Sequence, residues 1–330
     1  MNILSLVLCF TMAFAISLAL TPAAKSIAYK IGAIDVPKDK RRVHKKPIPR
    51  LGGLAIYYGF LISVLFFSNM DKQLAGIIGG SLLIVGVGII DDVMALKASI
   101  KFVIQILAAI IVALCDVRIN AISMPEVIVP GGILSLGVMS FPVTVLWIVG
   151  VTNAVNLIDG LDGLAAGVSS IASLCLMVLC ILTGSETAVM FTAALAGSCL
   201  GFLPRNFNPA EFFMGDTGAT FLGYVLAVTS IMGVFKGYAI LALIVCLLSL
   251  GLPIFDTVCA MLRRVITHKP IMQADRGHLH HKLIDKGYSQ KEAVLILYGI
   301  SAFLAVLAIF IPIKDSRALA VAVLMVILLS

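Results

Sequence analysis

The sequence predicts an all-α integral membrane protein, a polytopic bundle of about 11 transmembrane helices that forms a single domain over residues 1–330. Of its 330 residues, 61% are hydrophobic and 12% are charged, whereas about a quarter of the residues of a soluble domain are charged. The apolar residues lie in long runs, and a bilayer core accepts a helix of about 20 such residues. This composition excludes a soluble globular protein.

Eleven apolar runs are separated by short clusters of polar residues, glycine or proline. They cover residues 3–24, 51–69, 74–92, 99–115, 131–151, 163–182, 187–203, 218–235, 238–260, 292–311 and 318–330. The last run is short for a span, so an incomplete final helix stays open as an alternative. The first run has no basic region before it and no clear small-residue cleavage site, which favours a retained helix over a signal peptide.

The distribution of positive charge predicts the orientation of the chain. With the N-terminus outside, the inside loops hold every Lys and Arg except Lys72, Arg118, Lys236, Lys314 and Arg317. Such an excess is typical of cytoplasmic loops. We therefore expect an outside N-terminus, and an odd number of spans then places the C-terminus in the cytoplasm. The predicted outside loops are short, so the function is expected on the cytoplasmic side.

Five carboxylates stand at the cytoplasmic ends of predicted spans, although they come from three separate loops. They are Asp91, Asp92, Asp159, Asp162 and Asp216. A carboxylate next to a span is costly in hydrocarbon and is a functional candidate by default. Their common membrane side indicates one shared site.

Asp91 and Asp92 close the third run. A helix C-terminus disfavours anions, and two adjacent acids repel each other unless a cation is near. Metal or phosphate chemistry is therefore favoured over a pair of solvated charges. Lys97 and Lys101 follow, and we leave open whether they contact lipid headgroups or a substrate.

The segment 152–167 carries Asn153, Asn156, Asp159 and Asp162 at a regular spacing of three. On a helical turn these side chains stay near one face, where their oxygens suit a hard cation or a sugar nucleotide. A plain turn between two apolar helices seldom holds so many polar groups. This pattern predicts a binding site.

The segment 202–223 contains Pro204 and Pro209, which are expected to stop a helix, and the amide of Asn206. Asp216 then opens the eighth run, where helix N-terminal amides can receive phosphate and the carboxylate can hold a metal. Phe213 lies just ahead of it. An aromatic residue here is either a membrane anchor or a surface on which a nucleobase stacks.

The longest inside loop, about residues 261–291, is rich in histidine and arginine. Its histidines are His268, His278, His280 and His281, and its arginines include Arg264. A zinc site is disfavoured, because no cysteine lies nearby and no histidine pair at i, i+4 lines a helix. The seven cysteines of the chain include no C-x-x-C pair and are interpreted as packing residues. The loop is better suited to grip phosphate and sugar oxygens.

Five motifs together resemble the polyprenyl-phosphate N-acetylhexosamine-1-phosphate transferases, the membrane enzymes of glycosyltransferase family 4. They are HKKPIPRLGG (44–53), GIIDDV (88–93), NAVNLIDGLDGLAAG (153–167), NFNPAEFFMGDTGA (206–219) and HLHHKL (278–283). The resemblance covers nearly the whole chain. It implies an enzyme that moves a sugar 1-phosphate from a UDP-sugar to a lipid phosphate and releases UMP.

The resemblance also implies residue roles. The catalytic set would be Asp91, Asp92, Asp159, Asp162 and Asp216, and Asp91 would orient the lipid phosphate or take its proton. Asp159 and Asp162 would lie around the nucleotide, and Phe213 would stack on its uracil. Asp216 would be the main ligand of Mg²⁺, or of Mn²⁺ in its place, with Asp92 and Asn156 as further oxygen donors. The implied substrate contacts are Lys45, Asn153, Asn156, Asn206, Phe213, Arg264, His278, His280 and His281.

Three functions are weighed on this basis. The preferred one is transfer from UDP-GlcNAc to undecaprenyl phosphate, as the first membrane step of a cell-wall or surface glycan. Phospho-N-acetylmuramoyl-pentapeptide transferase is the alternative, but Leu279 breaks the run of three histidines that the resemblance associates with it. A secondary transporter is disfavoured, because it would hold its acids at the bilayer midplane.

The expected partners follow from the preferred function. They are UDP-GlcNAc, undecaprenyl phosphate, the lipid bilayer and, as an open alternative, a second copy of the chain in a homodimer. No nucleic acid is expected. The expected location is the plasma membrane of a bacterium, with the active site on the cytoplasmic face.

Overall fold

A computed structural model describes residues 2–37, 46–123, 133–234 and 279–310, which fold as a helical bundle. The helices are α1 (Ile3–Ile31), α2 (Gly53–Phe67), α3 (Lys72–Met94), α4 (Ala98–Leu114), α5 (Ser140–Ile158), α6 (Leu164–Thr183), α7 (Glu186–Asn206), α8 (Gly215–Val234), α9 (Leu279–Asp285) and α10 (Gln290–Phe310). Two short antiparallel hairpins accompany them: β1 (Ile34–Asp35) pairs with β2 (Ile48–Pro49), and β3 (Ala121–Ser123) pairs with β4 (Ile133–Ser135).

Six helices of the described part are long and apolar enough to cross a membrane: α1, α3, α5 with the turn before it, α6, α7 and α10. The helices α2 and α4 are shorter and also apolar. The prediction of an all-α membrane protein is confirmed at this level. The runs 238–260 and 318–330 lie outside the described residues, and the total of 11 spans and the orientation stay predictions.

Three helix boundaries differ from those predicted. The first helix continues through Pro22 to Ile31, and Gly32 ends it in a left-handed conformation with its N–H donating to the carbonyl of Ala28. Pro204 does not stop α7 at once: it lies in the last turn, and the helix continues past it to Asn206. The helix α5 starts at Ser140 rather than near residue 131, because residues 133–135 pair in the second hairpin.

The middle of the bundle is formed by α6, α7 and α8, and every residue of α8 from Thr217 to Gly233 is buried. In the most apolar stretch of each helix, 78% of the residues of α7 and 72% of those of α6 are buried, whereas 17% of those of α1 are. Cys9 and Cys199 are free thiols buried in this packing, as expected of small apolar residues. The outer helices therefore cover α6, α7 and α8.

Glycine contacts bring α2 and α3 against the start of α8. A Cβ atom built on Gly88 would lie 2.5 Å from the Cα of Thr217, and one on Gly53 would overlap the backbone of Gly218. Only glycine allows backbones to approach so closely. This packing sets Asp91 and Asp92, one turn after Gly88, beside the first residues of α8. We call this end of the bundle, where α3, α5 and α7 end and α8 begins, the acidic end.

Candidate active site

One lysine joins two of the five carboxylates at the acidic end. The Nζ atom of Lys101, on α4, lies 3.0 Å from Oδ2 of Asp91 and 2.6 Å from Oδ2 of Asp216. The side chains are 25% (Lys101), 10% (Asp91) and 28% (Asp216) exposed. Oδ1 of Asp91 accepts a hydrogen bond from the backbone N–H of Leu96 at 2.6 Å. Two carboxylates thus share one cation in a site that is largely withdrawn from water.

Asp92 caps the N-terminus of α8. Its Oδ1 accepts from the backbone N–H of Asp216 at 2.9 Å, and its Oδ2 accepts from the backbone N–H and the hydroxyl of Thr217 at 3.1 and 2.6 Å. A helix N-terminus has unpaired N–H groups and favours an anion. Gly215, at φ +69°, leaves room for this, because a Cβ there would lie 2.6 Å from Oδ1 of Asp92. Asp92 therefore fixes the position of Asp216.

The segment that enters α2 is bonded to the backbone that carries Phe213. The N–H of Phe213 donates to the carbonyl of Pro49 at 3.0 Å, and its own carbonyl accepts from Gly52 at 2.9 Å. The ring of Phe212 is fully buried against Phe202, with centroids 6.0 Å apart. Phe213 is half-buried, so of the two neighbouring rings it is the one that remains partly accessible.

Arg50 comes from the same entering segment. Its Nε donates to the backbone carbonyl of Asp92 at 3.1 Å and lies 3.9 Å from Oδ1 of that residue. The side chain is 28% exposed. A second positive charge is therefore anchored at the acidic end.

Asn153 and Asn156 lie on the last turns of α5 rather than in a loop. Nδ2 of Asn153 donates to Oε1 of Gln105 at 2.6 Å and to the carbonyl of Val149 at 2.8 Å. Gln105 is buried and stands one turn after Lys101 on α4. Asn153 thus links α5 to the helix that carries the shared lysine. Asn156 is half-buried on the same stretch of α5.

The turn after α5 holds Asp159 and Asp162 in different surroundings. Burial and, after it, the charges of Asp216, Asp92 and Asp162 raise the pKa of Asp159 to about 8. Its carboxylate is therefore within electrostatic reach of the acids from α3 and α8.

Oδ2 of Asp162 accepts hydrogen bonds from Nδ2 of Asn208 at 2.9 Å and from the N–H of Ala210 at 3.0 Å. Asp162 thus ties the turn after α5 to the loop between α7 and α8.

Asn206 lies under that loop and is almost completely buried. Its Nδ2 donates to the carbonyl of Phe212 at 3.0 Å, while its Oδ1 has no hydrogen-bond partner among the described residues. Within this geometry Asn206 holds the loop that leads to Phe213. A contact with substrate stays a prediction.

Comparison with known proteins identifies the family of the chain. Residues 74–234, which run from α3 to α8 and include all five acids, match the family model of glycosyl transferase family 4. The probable undecaprenyl-phosphate N-acetylglucosaminyl 1-phosphate transferase of Bacillus subtilis is 39% identical over 309 residues, which cover 93% of this chain and 85% of that protein. The chain belongs to glycosyl transferase family 4.

Two further relatives span most of this family 4 chain. The decaprenyl-phosphate N-acetylglucosaminephosphotransferase of Mycolicibacterium smegmatis is 34% identical and covers 92% of this chain and 82% of its own length. The phospho-N-acetylmuramoyl-pentapeptide-transferase of Leptospira biflexa is 27% identical and covers 81% of this chain and 80% of its own length. Both named activities considered from the sequence therefore occur among the relatives.

Several implied contacts of the family 4 chain fall where the structure gives no side chain. Lys45, Arg264 and His278 lie outside the described residues. His280 and His281 belong to α9, for which only the backbone is described at these positions. Their roles in binding the donor stay predictions.

The structure adds residues that the sequence reasoning did not assign. The sequence leaves Lys101 open between a headgroup and a substrate contact, counts Arg50 among the basic residues expected near anionic headgroups and Asn208 among the amides before α8, and gives Gln105 no role. A signal was present for Lys101 and Gln105, because two polar residues one turn apart interrupt an otherwise apolar helix. Lys97, in contrast, is exposed at the start of α4.

The acidic end of the family 4 chain fits a hard divalent cation with few protein ligands. Among the described residues, no group of three or more His, Cys, Asp or Glu side chains forms a closed cage. Asp91 and Asp216, however, direct oxygen atoms at one cation, the ammonium of Lys101. Mg²⁺ is usually held by one or two carboxylates together with substrate phosphates and water. The donor set at this end agrees with that pattern.

Proposed function

We propose that this chain transfers GlcNAc-1-phosphate from UDP-GlcNAc to undecaprenyl phosphate, or a similar polyprenyl phosphate, and releases UMP. The observation that carries the proposal is the 39% identity, over 93% of the chain, to a relative named for this transfer. The cluster of Lys101 with Asp91 and Asp216 supports it, because it joins a cation and two carboxylates at a helix N-terminus. Such groups are suited to phosphate chemistry.

The proposed reaction brings two anions together. An oxygen of the lipid phosphate bonds to the phosphorus that carries the sugar, and the bond from that phosphorus to the bridging oxygen breaks, so that UMP leaves with the electron pair. Lys101 and Arg50 are the described cations that offset this repulsion, since both are anchored among the acids. Positioning and charge supply most of the catalysis in this class of reaction.

Asp91 is suited to orient the lipid phosphate or to take its proton. Both of its carboxylate oxygens are held in place, one by the N–H of Leu96 and the other by Lys101. A fixed carboxylate next to the attacking oxygen would accept the proton of a singly charged lipid phosphate. Asp159 is a second candidate proton carrier, since its raised pKa lies close to neutral pH.

Mg²⁺, or Mn²⁺ in its place, is part of the proposal. Asp216 would be the main ligand, and Asp91 is the carboxylate that already shares a cation with it. The family resemblance names Asp92 and Asn156 as further donors, but both oxygens of Asp92 are engaged by the start of α8. When bound, the cation would offset the charge of the donor pyrophosphate.

We infer that the acidic end faces the cytoplasm of a bacterial cell. The lysine and arginine residues of the sequence follow the positive-inside pattern with this end inside. A polyprenyl chain stays in the bilayer, so its phosphate meets a water-soluble donor at the membrane surface. The site at the ends of apolar helices suits that meeting point.

The test uses the purified chain in detergent with undecaprenyl phosphate and Mg²⁺. UDP-GlcNAc, its C4 epimer UDP-GalNAc and UDP-N-acetylmuramoyl-pentapeptide are offered separately, and UMP and lipid-linked product are both quantified. We expect equal amounts of UMP and lipid product from UDP-GlcNAc, and no UMP when the lipid is omitted. Turnover of the pentapeptide donor alone would assign the chain to the alternative activity. The mass of the protein in detergent tests the homodimer.

A further inference from the structure

The helix α10 contacts the turn that carries Asp159 and Asp162. The hydroxyl of Tyr298, on α10, donates a hydrogen bond to the carbonyl of Gly163. Gly163 adopts a left-handed conformation with φ +79° and precedes α6. Gly163 directly follows Asp162, so this bond fixes the backbone at the end of the turn that carries Asp159 and Asp162.

A notch in α6 receives the ring of Tyr298. A Cβ built on Gly167 would overlap this ring, and one on Gly163 would lie 3.4 Å from its hydroxyl oxygen. The ring of Phe207, which follows α7, packs against Tyr298 with centroids 6.5 Å apart. Gly167 therefore leaves the space that the tyrosine ring fills, whereas a Cβ on Gly163 would meet Phe207 first.

A second connection joins α10 to the same turn. Nδ2 of Asn208 donates to Oδ2 of Asp162 at 2.9 Å and to Oε1 of Gln290 at 3.0 Å. Gln290 is the first residue of α10, about two helical turns before Tyr298. The turn that carries Asp159 and Asp162 is thus connected to α10 at two points. One is the direct bond from Tyr298 to the carbonyl of Gly163, and the other runs through Asn208 to the carboxylate of Asp162.

We propose that Tyr298 is a positioning residue that keeps the turn of Asp159 and Asp162 in the geometry that binds the nucleotide half of the donor. The proposal rests on the proposed function and on the nucleotide role that the family resemblance implies for these two acids. Tyr298 lies outside residues 74–234, the range matched by the family model. The helix α10 follows the histidine-rich loop in sequence.

The first test replaces Tyr298 by phenylalanine, which removes the hydroxyl and keeps the ring. Loss of one hydrogen bond corresponds to about a 3- to 10-fold change in an equilibrium constant. We expect Tyr298→Phe to raise KM for UDP-GlcNAc and the Kd for UMP by about this factor. The KM for undecaprenyl phosphate should stay within about 2-fold. Tyr288→Phe is the matched control, because Tyr288 is 45% exposed ahead of α10.

The second test exchanges volume between the two packed positions. Gly167→Ala pushes the added methyl group into the ring of Tyr298, so UMP binding should weaken while the hydroxyl is still present. Adding Tyr298→Leu makes room for that methyl group, and the double variant should bind UMP better than Gly167→Ala alone. If Tyr298→Phe fails to fold, Gly167→Ala and the double variant still test the proposal.

The outcomes separate this proposal from the proposed function. A lower melting temperature for Tyr298→Phe with unchanged UMP affinity and unchanged KM for UDP-GlcNAc would reduce the tyrosine to a fold-stabilising residue and overturn the proposal. A wild-type chain that binds UMP, more weakly after Tyr298→Phe, but transfers no sugar phosphate would contradict the proposed function only. A wild-type chain that does not bind UMP at all would overturn both.

Discussion

The helices α3 and α4 are joined by one lysine–aspartate pair at each end. At the acidic end, Lys101 on α4 bonds Asp91 on α3 at 3.0 Å, with side chains 25% and 10% exposed. At the opposite end, Lys72 on α3 bonds Asp116, just after α4, at 2.7 Å, with side chains 63% and 62% exposed. The two pairs use the same residue types and similar distances. They differ in burial and in what else they touch.

The exposed pair behaves as an ordinary surface contact. Its hydrogen bond and the charge of Lys72 lower the pKa of Asp116, but water and salt screen such a pair, so it adds little to the stability of the fold. The buried pair also recruits Asp216 from 115 residues away. Withdrawing three charges from water is costly and rarely increases stability. The burial of these three charges is therefore consistent with the proposed catalytic role of the cluster, whereas the exposed pair needs no such role.

The largest expected effect is that of Asp216→Asn. The substitution removes the charge of the proposed main metal ligand, so sugar-phosphate transfer should fall by more than about 100-fold, since changing a residue that only supports a ligand already costs about 10- to 100-fold. The melting temperature should stay near that of the wild type. Transfer at full rate in excess Mg²⁺ would remove the metal role from Asp216.

Removal of the metal should lower the rate of transfer by a similar factor, and this loss should be reversible. Treatment with EDTA is expected to stop transfer, because the carboxylates alone increase the repulsion between donor and acceptor. Mg²⁺ or Mn²⁺ should restore the rate, which is measured as UMP released per minute. A chain that keeps its full rate in EDTA would show that its cations, such as Lys101, suffice.

A moderate effect is expected from Thr217→Val, which deletes one of the bonds that Asp92 accepts. Stability should fall by about 0.5–1.5 kcal/mol, and transfer should fall with it because the start of α8 carries Asp216. Thermal melting in detergent and the transfer assay measure the two effects. Thr229→Val is the matched control, since its hydroxyl bonds only carbonyls of α8 in the described structure. Equal losses for both variants would leave the Asp92 contact without special importance.

The effect expected from Asp159→Asn depends on pH. The pKa of Asp159 is about 8 in the fold and near 4 in an unfolded chain. The folded state therefore binds the extra proton, and stability falls as pH rises from about 4 to about 8. In metal-free buffer the melting temperature of the wild type should drop between pH 6 and 8 more than that of Asp159→Asn. The exposed Asp285→Asn should follow the wild type, and parallel curves for all three chains would argue against a raised pKa.

The smallest effect is expected from Lys72→Gln. The loss of an exposed ion pair should change the free energy of unfolding only slightly, because water screens the two charges. Melting curves at low and high salt measure it, and the difference from the wild type should shrink in high salt. A large loss would mean that the two ends of α3 are not as different as their burial indicates.

The helical class and the gathering of the acids could be predicted from the sequence. Apolar runs give the order of the helices, and the alternation of sides then brings Asp91, Asp159 and Asp216 to one end, although α1 and α5 differ from their predicted bounds. The structure brings them together as expected. This prediction needed only span length and direction.

The individual contacts could not be predicted in the same way. That Asp92 caps α8 depends on the close approach of Gly88 to Thr217, more than 100 residues apart in sequence. Periodicity indicates which face of a helix is apolar, but not how far one helix slides along another. For the same reason the bonds of Asn153 to Gln105 and of Asp162 to Asn208 had no signal in the spacing of the motifs.

The most direct test of the central claim measures lipid-linked GlcNAc-phosphate formed by Asp91→Asn and Asp116→Asn in one assay. Each variant replaces the carboxylate of one α3–α4 pair by an amide of nearly the same size, at equal amounts of folded protein. We predict that Asp91→Asn loses more than about 100-fold while Asp116→Asn stays within about 2-fold of the wild type. Wild-type rates for Asp91→Asn, or equal losses for both variants, would contradict the account.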